Sequence, residues 1–355
     1  MKAGLQAILR YRPFVLEALE SFIKQQKHAA STGLPWGEDV TTRLLTFATT
    51  GKLLRGCLVC YGHALWSDES LPPVSVLNTA VALELAHASL LIHDDIIDQD
   101  DLRRNQPALH RQYSQLFDLP DAARSHLGES LALCAGDMTL LMAFELLGTI
   151  PPNSDGSSFG SSLARELSIV CAGQMQDVYL AASAGAPNKS AIYQVMRAKS
   201  ASYSVAWPLR AGAILAGQSA VVQQRIYALG IAVGTLFQIR DDELGTFGSA
   251  AKLGKPVDSD IREGKKTLLY YYLWRAATAA ERRRLHKIFG NPEANAGDIL
   301  TVHRLLRQYR VRLRLQEDID QLKHSAMRQI DQLNVPVAAQ RELQQLVEFC
   351  AQREV

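Results

Sequence analysis

A disulfide framework, a long unbroken apolar run and a dominant sign of charge are all missing from this 355-residue chain. Its five cysteines are odd in number and scattered, which fits a reducing compartment. Cys57 and Cys60 form a lone CxxC inside an apolar helical pattern, and burial explains them better than metal or redox chemistry. No apolar run reaches the roughly 18 residues that span a bilayer. The apolar part of the N-terminal MKAGLQAILRYRPF is too short for a signal peptide. These absences predict a cytoplasmic protein with no membrane span. Thirty-eight Lys and Arg against 36 Asp and Glu leave a formal charge of +2, too weak a field to argue for nucleic acid as a partner. Also absent are a Gly-rich phosphate loop and any Ser/His/Asp or Cys/His pattern, which removes the common nucleophilic chemistries.

What remains is a globular composition, 47% apolar and 21% charged, in a chain long enough to bury a large core. Apolar residues recur at helical spacing over Val74 to Ile97, Leu131 to Leu147, Ala220 to Leu244 and Asp318 to Leu333, with no sustained two-residue alternation. The fold is therefore expected to be all-α. Loops are expected at Ser31 to Pro35, Pro151 to Ser162, Gly185 to Asn188 and Gly245 to Gly264, none long enough for a flexible linker. One domain over residues 1–355 is expected, with polar amphipathic helices at about 280–355 on its periphery.

Two helix ends carry the chemistry. The first reads His93-Asp94-Asp95-Ile96-Ile97-Asp98, and at about 3.6 residues per turn Asp94 and Asp98 share one face. Repelling carboxylates at the negative end of a helix call for cations, and oxygen ligands favour magnesium over zinc. The second, Phe237-Gln238-Ile239-Arg240-Asp241-Asp242-Glu243, again ends a long apolar helix on adjacent carboxylates. Magnesium keeps waters and is usually completed by phosphate oxygens, so two such ends imply a phosphorylated substrate. Lys52, Arg55, Arg103, Arg104, Lys199, Lys255, Lys265 and Lys266 add cations near predicted helix ends. Together they could hold a diphosphate without metal.

In order along the chain stand GKLLR at 51–55, His87, DDIID at 94–98, RRNQPALH at 103–110, AGD at 135–137, GQMQD at 173–177, KSASY at 199–203, FQIRDD at 237–242 and GKPVDSDIREGKKT at 254–267. This series resembles the trans-type isoprenyl diphosphate synthases, or polyprenyl synthetases, most of all the geranylgeranyl diphosphate synthases. The resemblance implies an antiparallel helical bundle around a deep cavity, usually a homodimer. It implies condensation of isopentenyl diphosphate with an allylic diphosphate (dimethylallyl, geranyl or farnesyl). Asp94, Asp98 and Asp241 become ligands of about three magnesium ions, with Asp95 and Asp242 supporting them. Arg103, Lys199, Ser200, Gln238 and Lys255 become contacts of the allylic diphosphate. Lys52, Arg55, His87 and Arg104 become the metal-free site for isopentenyl diphosphate.

The same resemblance marks departures and sets product length. Gly56 stands where Pro is usual, Asn105 where Gly is usual, Ser200 where Thr is usual, and Gly245 where many members carry a third Asp. An aromatic floor five residues before the first motif stops short-chain members; here that position is Ser89, followed by Leu90, with small Ala86 a turn deeper. A product of twenty carbons or more follows, with Met138 or Leu141 a candidate stop. Two rivals are a class I terpene cyclase, which needs no second diphosphate site, and a regulatory subunit, which generally loses one acidic motif.

Overall fold

The computed structural model describes residues 2–29, 34–152, 158–183, 187–248 and 258–352. Helices follow one another as α1 (Lys2–Leu9), α2 (Arg12–Ala29), α3 (Trp36–Thr49), α4 (Leu54–Ala64) and α5 (Val74–Ile97). A hairpin of two-residue strands follows, β1 (Leu102–Arg103) and β2 (Gln106–Pro107), paired antiparallel. Next come α6 (Leu109–Ser114), α7 (Asp121–Gly148), α8 (Phe159–Ala182), α9 (Lys189–Val195), a π-helical segment (Met196–Ala206), α10 (Trp207–Leu215) and α11 (Ala220–Phe247). The chain ends in α12 (Ser259–Arg262), α13 (Leu268–Ala276), α14 (Ala279–Ile288), α15 (Ala296–Gln308), α16 (Val311–Asp331) and α17 (Val337–Gln352). The all-α expectation holds.

The chain divides into two compact units, one of Gln6–Leu163 with Pro208–Ser219, the other of Met1–Leu5, Ala164–Trp207 and Ala220–Val355. In the first, α5 is apolar almost all round and buries Val81, Leu83, Leu85, Ala86 and Ile92, as a helix without a polar face must. Helix α7 packs closely on it through small residues: a Cβ on Gly136 would come within 2.3 Å of the His93 ring. Val40, Ile92, Leu109, Tyr113, Ala132 and Ala135 form one core cluster. Cys57 and Cys60 are buried in α4, and burial pushes the Cys60 thiol up to about 12. They are packing residues, as the sequence indicated.

In the second unit, α11 lies against the π-helical segment, and the four last helices each bury one apolar face, for example Val302 and Leu305 of α15 and Ile319 and Ile330 of α16. Capping boxes at Thr278/Glu281 and Asn295/Asp298 start α14 and α15, each supplying partners for first-turn amides. The buried Asp318 accepts hydrogen bonds from Lys189 and, at 2.6 Å, from the Tyr272 hydroxyl.

Three local expectations need correction. Helix α8 begins at Phe159, inside the expected loop, because the Ser158 hydroxyl accepts from the Ser161 N–H at 3.0 Å and caps it. Helix α11 runs through Gly245 to Phe247, whose ring is held by His303 (centroids 5.6 Å apart) and by the Arg312 guanidinium at 5.1 Å; these tertiary contacts override the glycine. By length and composition α5, α7 and α11 could each cross a membrane, although no unbroken apolar run pointed to them. Polar residues interrupt the runs without lowering the average, and in α5 the apolar stretch is 72% buried within the protein.

Candidate active site

The C-terminal end of α5 sets the first acidic motif. The Asp98 N–H donates to the Asp94 carbonyl at 2.8 Å, which closes the last turn and stacks the two half-buried carboxylates one turn apart. Asp95, on the inner side, is fully buried and accepts from Arg103 Nε at 2.6 Å and from its Nη2. Arg103 also reaches Asp100 at 3.0 Å. Burial pushes the Asp95 carboxyl up to about 6, against the pull of Arg103. Its second oxygen is buried with no hydrogen-bond partner among the described residues. Arg103 is thus aimed by Asp95, and the hairpin that carries it turns on Arg104 and Asn105, both left-handed at φ 53° and 61°. Asn tolerates that conformation best after Gly, which accounts for Asn105.

Cations gather around His87. Burial, then the charges of Arg55, Arg104 and Arg103, hold its imidazole well below the ordinary range. The Arg104 guanidinium fills the space beside Gly51, where a Cβ would come within 2.8 Å of it, and donates to the Phe47 carbonyl at 2.9 Å. Lys52 of the same motif is exposed. Glu84, one turn before His87, was given no role on the sequence. Its buried carboxylate accepts the Gly56 N–H at 2.7 Å, so helix α5 caps the first turn of α4. Burial pushes this carboxyl up, while Arg55, the Gly56 amide and Arg104 pull it down. Proline at 56 has no N–H to give, and a Cβ there would meet Val15 at 2.8 Å. An acid in an otherwise apolar stretch, three residues before a histidine, was the available signal.

The second motif lies in the other unit. Asp241 is exposed and Asp242 half-buried, the latter accepting from Gln238 Nε2 at 2.8 Å. Burial, then the charges of Asp260, Asp241 and Asp177, push the Asp242 carboxyl well above its ordinary range. Lys199 pairs with Asp177 at 2.8 Å, and Ser200 is half-buried beside it. Asp260 of α12 places an oxygen 3.4 Å from where a Gly245 Cβ would stand. A carboxylate thus sits next to the position where a third motif Asp is missing. Asp177 and Asp260 were visible within the quoted motifs but had no assigned role. Arg240 anchors this end of α11, donating to the Ala351 carbonyl (2.7 Å) and to Gln316 (2.8 Å) and pairing with Glu243. Lys255 lies outside the described residues.

Among the described residues no three His, Cys, Asp or Glu side chains stand close enough to hold a metal by themselves. The donors at both helix ends are oxygens, the set that suits magnesium completed by phosphate. Of the chain-length positions, Ala86 and Ser89 are fully buried and Leu90 half-buried. The Ser89 hydroxyl has no hydrogen-bond partner among the described residues. Met138 packs on the core cluster, whereas Leu141 is 67% exposed and does not line the interior.

Helix ends rich in carboxylate, each beside its own cations, belong to an enzyme class that works on diphosphates. The profile of the polyprenyl synthetase family matches residues 38–306, and the chain belongs to that family. It is a prenyl-transferring enzyme with the all-α isoprenoid synthase fold. A short chain isoprenyl diphosphate synthase of Methanocaldococcus jannaschii is 32% identical over 257 residues, 72% of each chain. The geranylgeranyl diphosphate synthase of Saccharolobus solfataricus is 31% identical over 315 residues, 86% of this chain and 88% of the relative. The crystal structure of a Corynebacterium glutamicum geranylgeranyl pyrophosphate synthase, complexed with isoprenyl diphosphate and magnesium, matches with a TM-score of 0.85 at 30% identity, covering 97% of this chain and 99% of that one.

Proposed function

We propose that the protein condenses isopentenyl diphosphate head-to-tail with an allylic diphosphate to give an all-trans prenyl diphosphate of twenty carbons or more. Asp94, Asp98 and Asp241 bind magnesium, with Asp242 behind Asp241 and Asp95 acting through Arg103. When bound there, magnesium neutralises the charge that develops on departing diphosphate oxygens. Arg103, Lys199, Ser200, Gln238 and Lys255 bind the allylic diphosphate and orient its leaving group. Lys52, Arg55, His87 and Arg104 hold isopentenyl diphosphate. The apolar wall at Ala86, Ser89 and Leu90 takes the growing tail and excludes water from the allylic cation. The proton lost at the end goes to the released diphosphate, so no side-chain nucleophile is needed.

The observation that carries this reading is the set of arginines about His87, close in sequence to an acid-ended helix. A cyclase has no use for a second diphosphate site, and a subunit without turnover has no use for two intact acidic pairs. Both units serve one reaction and so constitute one functional domain. A homodimer fits the exposed apolar side chains of α8, Met175 at 74% and Tyr179 at 68%, with Val178 on the same side of the helix. Five free thiols suit the cytoplasm. The test is incubation with magnesium, isopentenyl diphosphate and each allylic primer, followed by chain-length analysis. Elongation to twenty carbons or more is expected, and cyclised hydrocarbon formed without isopentenyl diphosphate would instead establish a cyclase. Ser89→Phe should shorten the product; an unchanged distribution would place the floor elsewhere.

A further inference from the structure

The segment that carries Lys199 and Ser200 is π-helical over eleven residues, Met196–Ala206. Such helices are rare and usually last one turn, so a long one needs surroundings that enforce it. Three glycines on two neighbouring helices do so here. A Cβ on Gly173 of α8 would stand 2.7 Å from the Lys199 main-chain nitrogen. On Gly234 of α11 it would stand 2.7 Å from Ala201 Cα, and on Gly230 2.4 Å from Ala206 Cα. Each of these nearest atoms is main chain, so no rotamer change relieves the contact.

The clamp meets the site at Lys199. Its main-chain nitrogen lies against Gly173, and its ammonium pairs with Asp177, one turn further along the same helix, at 2.8 Å. On the other side, Gly234 stands one turn before Gln238 and two before Asp241 and Asp242, on the helix that presents the second acidic motif. We propose that Gly173 and Gly234 are positioning residues. By letting α8 and α11 touch the π-helical backbone, they fix Lys199 and Ser200 in register with the second motif. The inference rests on the proposal that these two residues contact the allylic diphosphate.

The test is steady-state kinetics with each substrate varied in turn, on wild type and on Lys199→Ala, Gly173→Ala, Gly234→Ala and Gly160→Ala, with circular dichroism on each. Gly160 also lies on α8, but a Cβ there meets nothing closer than 3.8 Å, so its variant should behave as wild type. Gly173→Ala and Gly234→Ala should raise KM for the allylic substrate by about tenfold, within the roughly hundredfold that a misplacement near 1 Å can cost. KM for isopentenyl diphosphate should stay within about twofold of wild type. Should one clamp variant fail to fold, the other carries the test. If Lys199→Ala raises the allylic KM while the folded glycine variants do not, or if they raise both KM values equally, the clamp is overturned. If Lys199→Ala leaves the allylic KM unmoved, the site reading itself is wrong and the clamp falls with it.

Discussion

The two acidic helix ends share the letters DD yet solve the same electrostatic problem in opposite ways. At the end of α5 the inner carboxylate, Asp95, is buried against Arg103, and the pair is neutral within the protein. At the end of α11 the inner carboxylate, Asp242, accepts from the Gln238 amide and lies in the field of the further negative charges of Asp241, Asp177 and Asp260. A buried charge needs a partner or loses its ionisation. The first motif sets an arginine against its inner carboxylate, whereas the second sets an amide there and gathers further carboxylates around it, an oxygen-rich arrangement that magnesium suits. Lys199 reaches this cluster at Asp177 (2.8 Å) and Lys265 reaches it at Asp260 (3.8 Å). The α11 end is therefore where metal should matter most to the resting protein.

The largest effect that could break this contrast is on turnover. Asp241→Ala and Asp94→Ala should each lower kcat by about a thousandfold, the scale for losing a transition-state charge contact, with little loss of thermal stability. Full activity in either would remove the metal assignment. Stability should then separate the inner pair. Asp95→Asn leaves Arg103 short of its buried partner and should destabilise by about 3 kcal/mol, whereas Asp242→Asn relieves repulsion and should stabilise the metal-free protein by about 1 kcal/mol. Thermal melts of both variants decide the matter, and a shift of the same sign in both would erase the distinction.

Proton linkage makes the Asp242 environment readable in wild type. A carboxyl raised in the folded state, as Asp242 is, favours its protonated form there. Its contribution to stability is fully present below the unfolded value near 3.8 and is lost as pH rises through the raised folded value. Metal-free protein should therefore gain stability on modest acidification, and Asp242→Asn should flatten that slope. In the other unit, Glu84→Gln should raise KM for isopentenyl diphosphate by about tenfold, the factor for about 1.4 kcal/mol. The allylic KM should change little, because Glu84 caps α4 beside Arg55 and Arg104. The smallest effect is chemical: Cys57 and Cys60, buried and held protonated, should resist alkylation at pH 8 in folded protein while Cys134 and Cys171 react.

Local patterns exposed much of this molecule. Helix α5 spans Val74–Ile97, the range its apolar spacing marked, because Pro73 precedes it and Asp98 closes it. Asp94 and Asp98 were legible as a pair because one helical turn relates them whatever the tertiary fold. Partner choice was not legible: nothing within DDIID says that Asp95 turns inward to Arg103, and nothing within DDELG says that Asp260 comes to Gly245 from α12. The π-helical segment was equally hidden, since its register depends on glycines 24 to 33 residues away in sequence from the residues they touch, Gly173 on α8 and Gly230 and Gly234 on α11. Gly245 misled for the same reason, as Phe247 is fixed by His303 and Arg312 rather than by its neighbours.

The asymmetry between metal-dependent and metal-free recognition is tested most directly by calorimetric titration of two ligands, with magnesium and with chelator. One ligand is an allylic thiolodiphosphate that cannot ionise; the other is isopentenyl diphosphate. The allylic analogue should bind only when magnesium is present, while isopentenyl diphosphate should bind with or without it. Equal affinity of the allylic analogue under both conditions would contradict the role given to Asp94, Asp98 and Asp241.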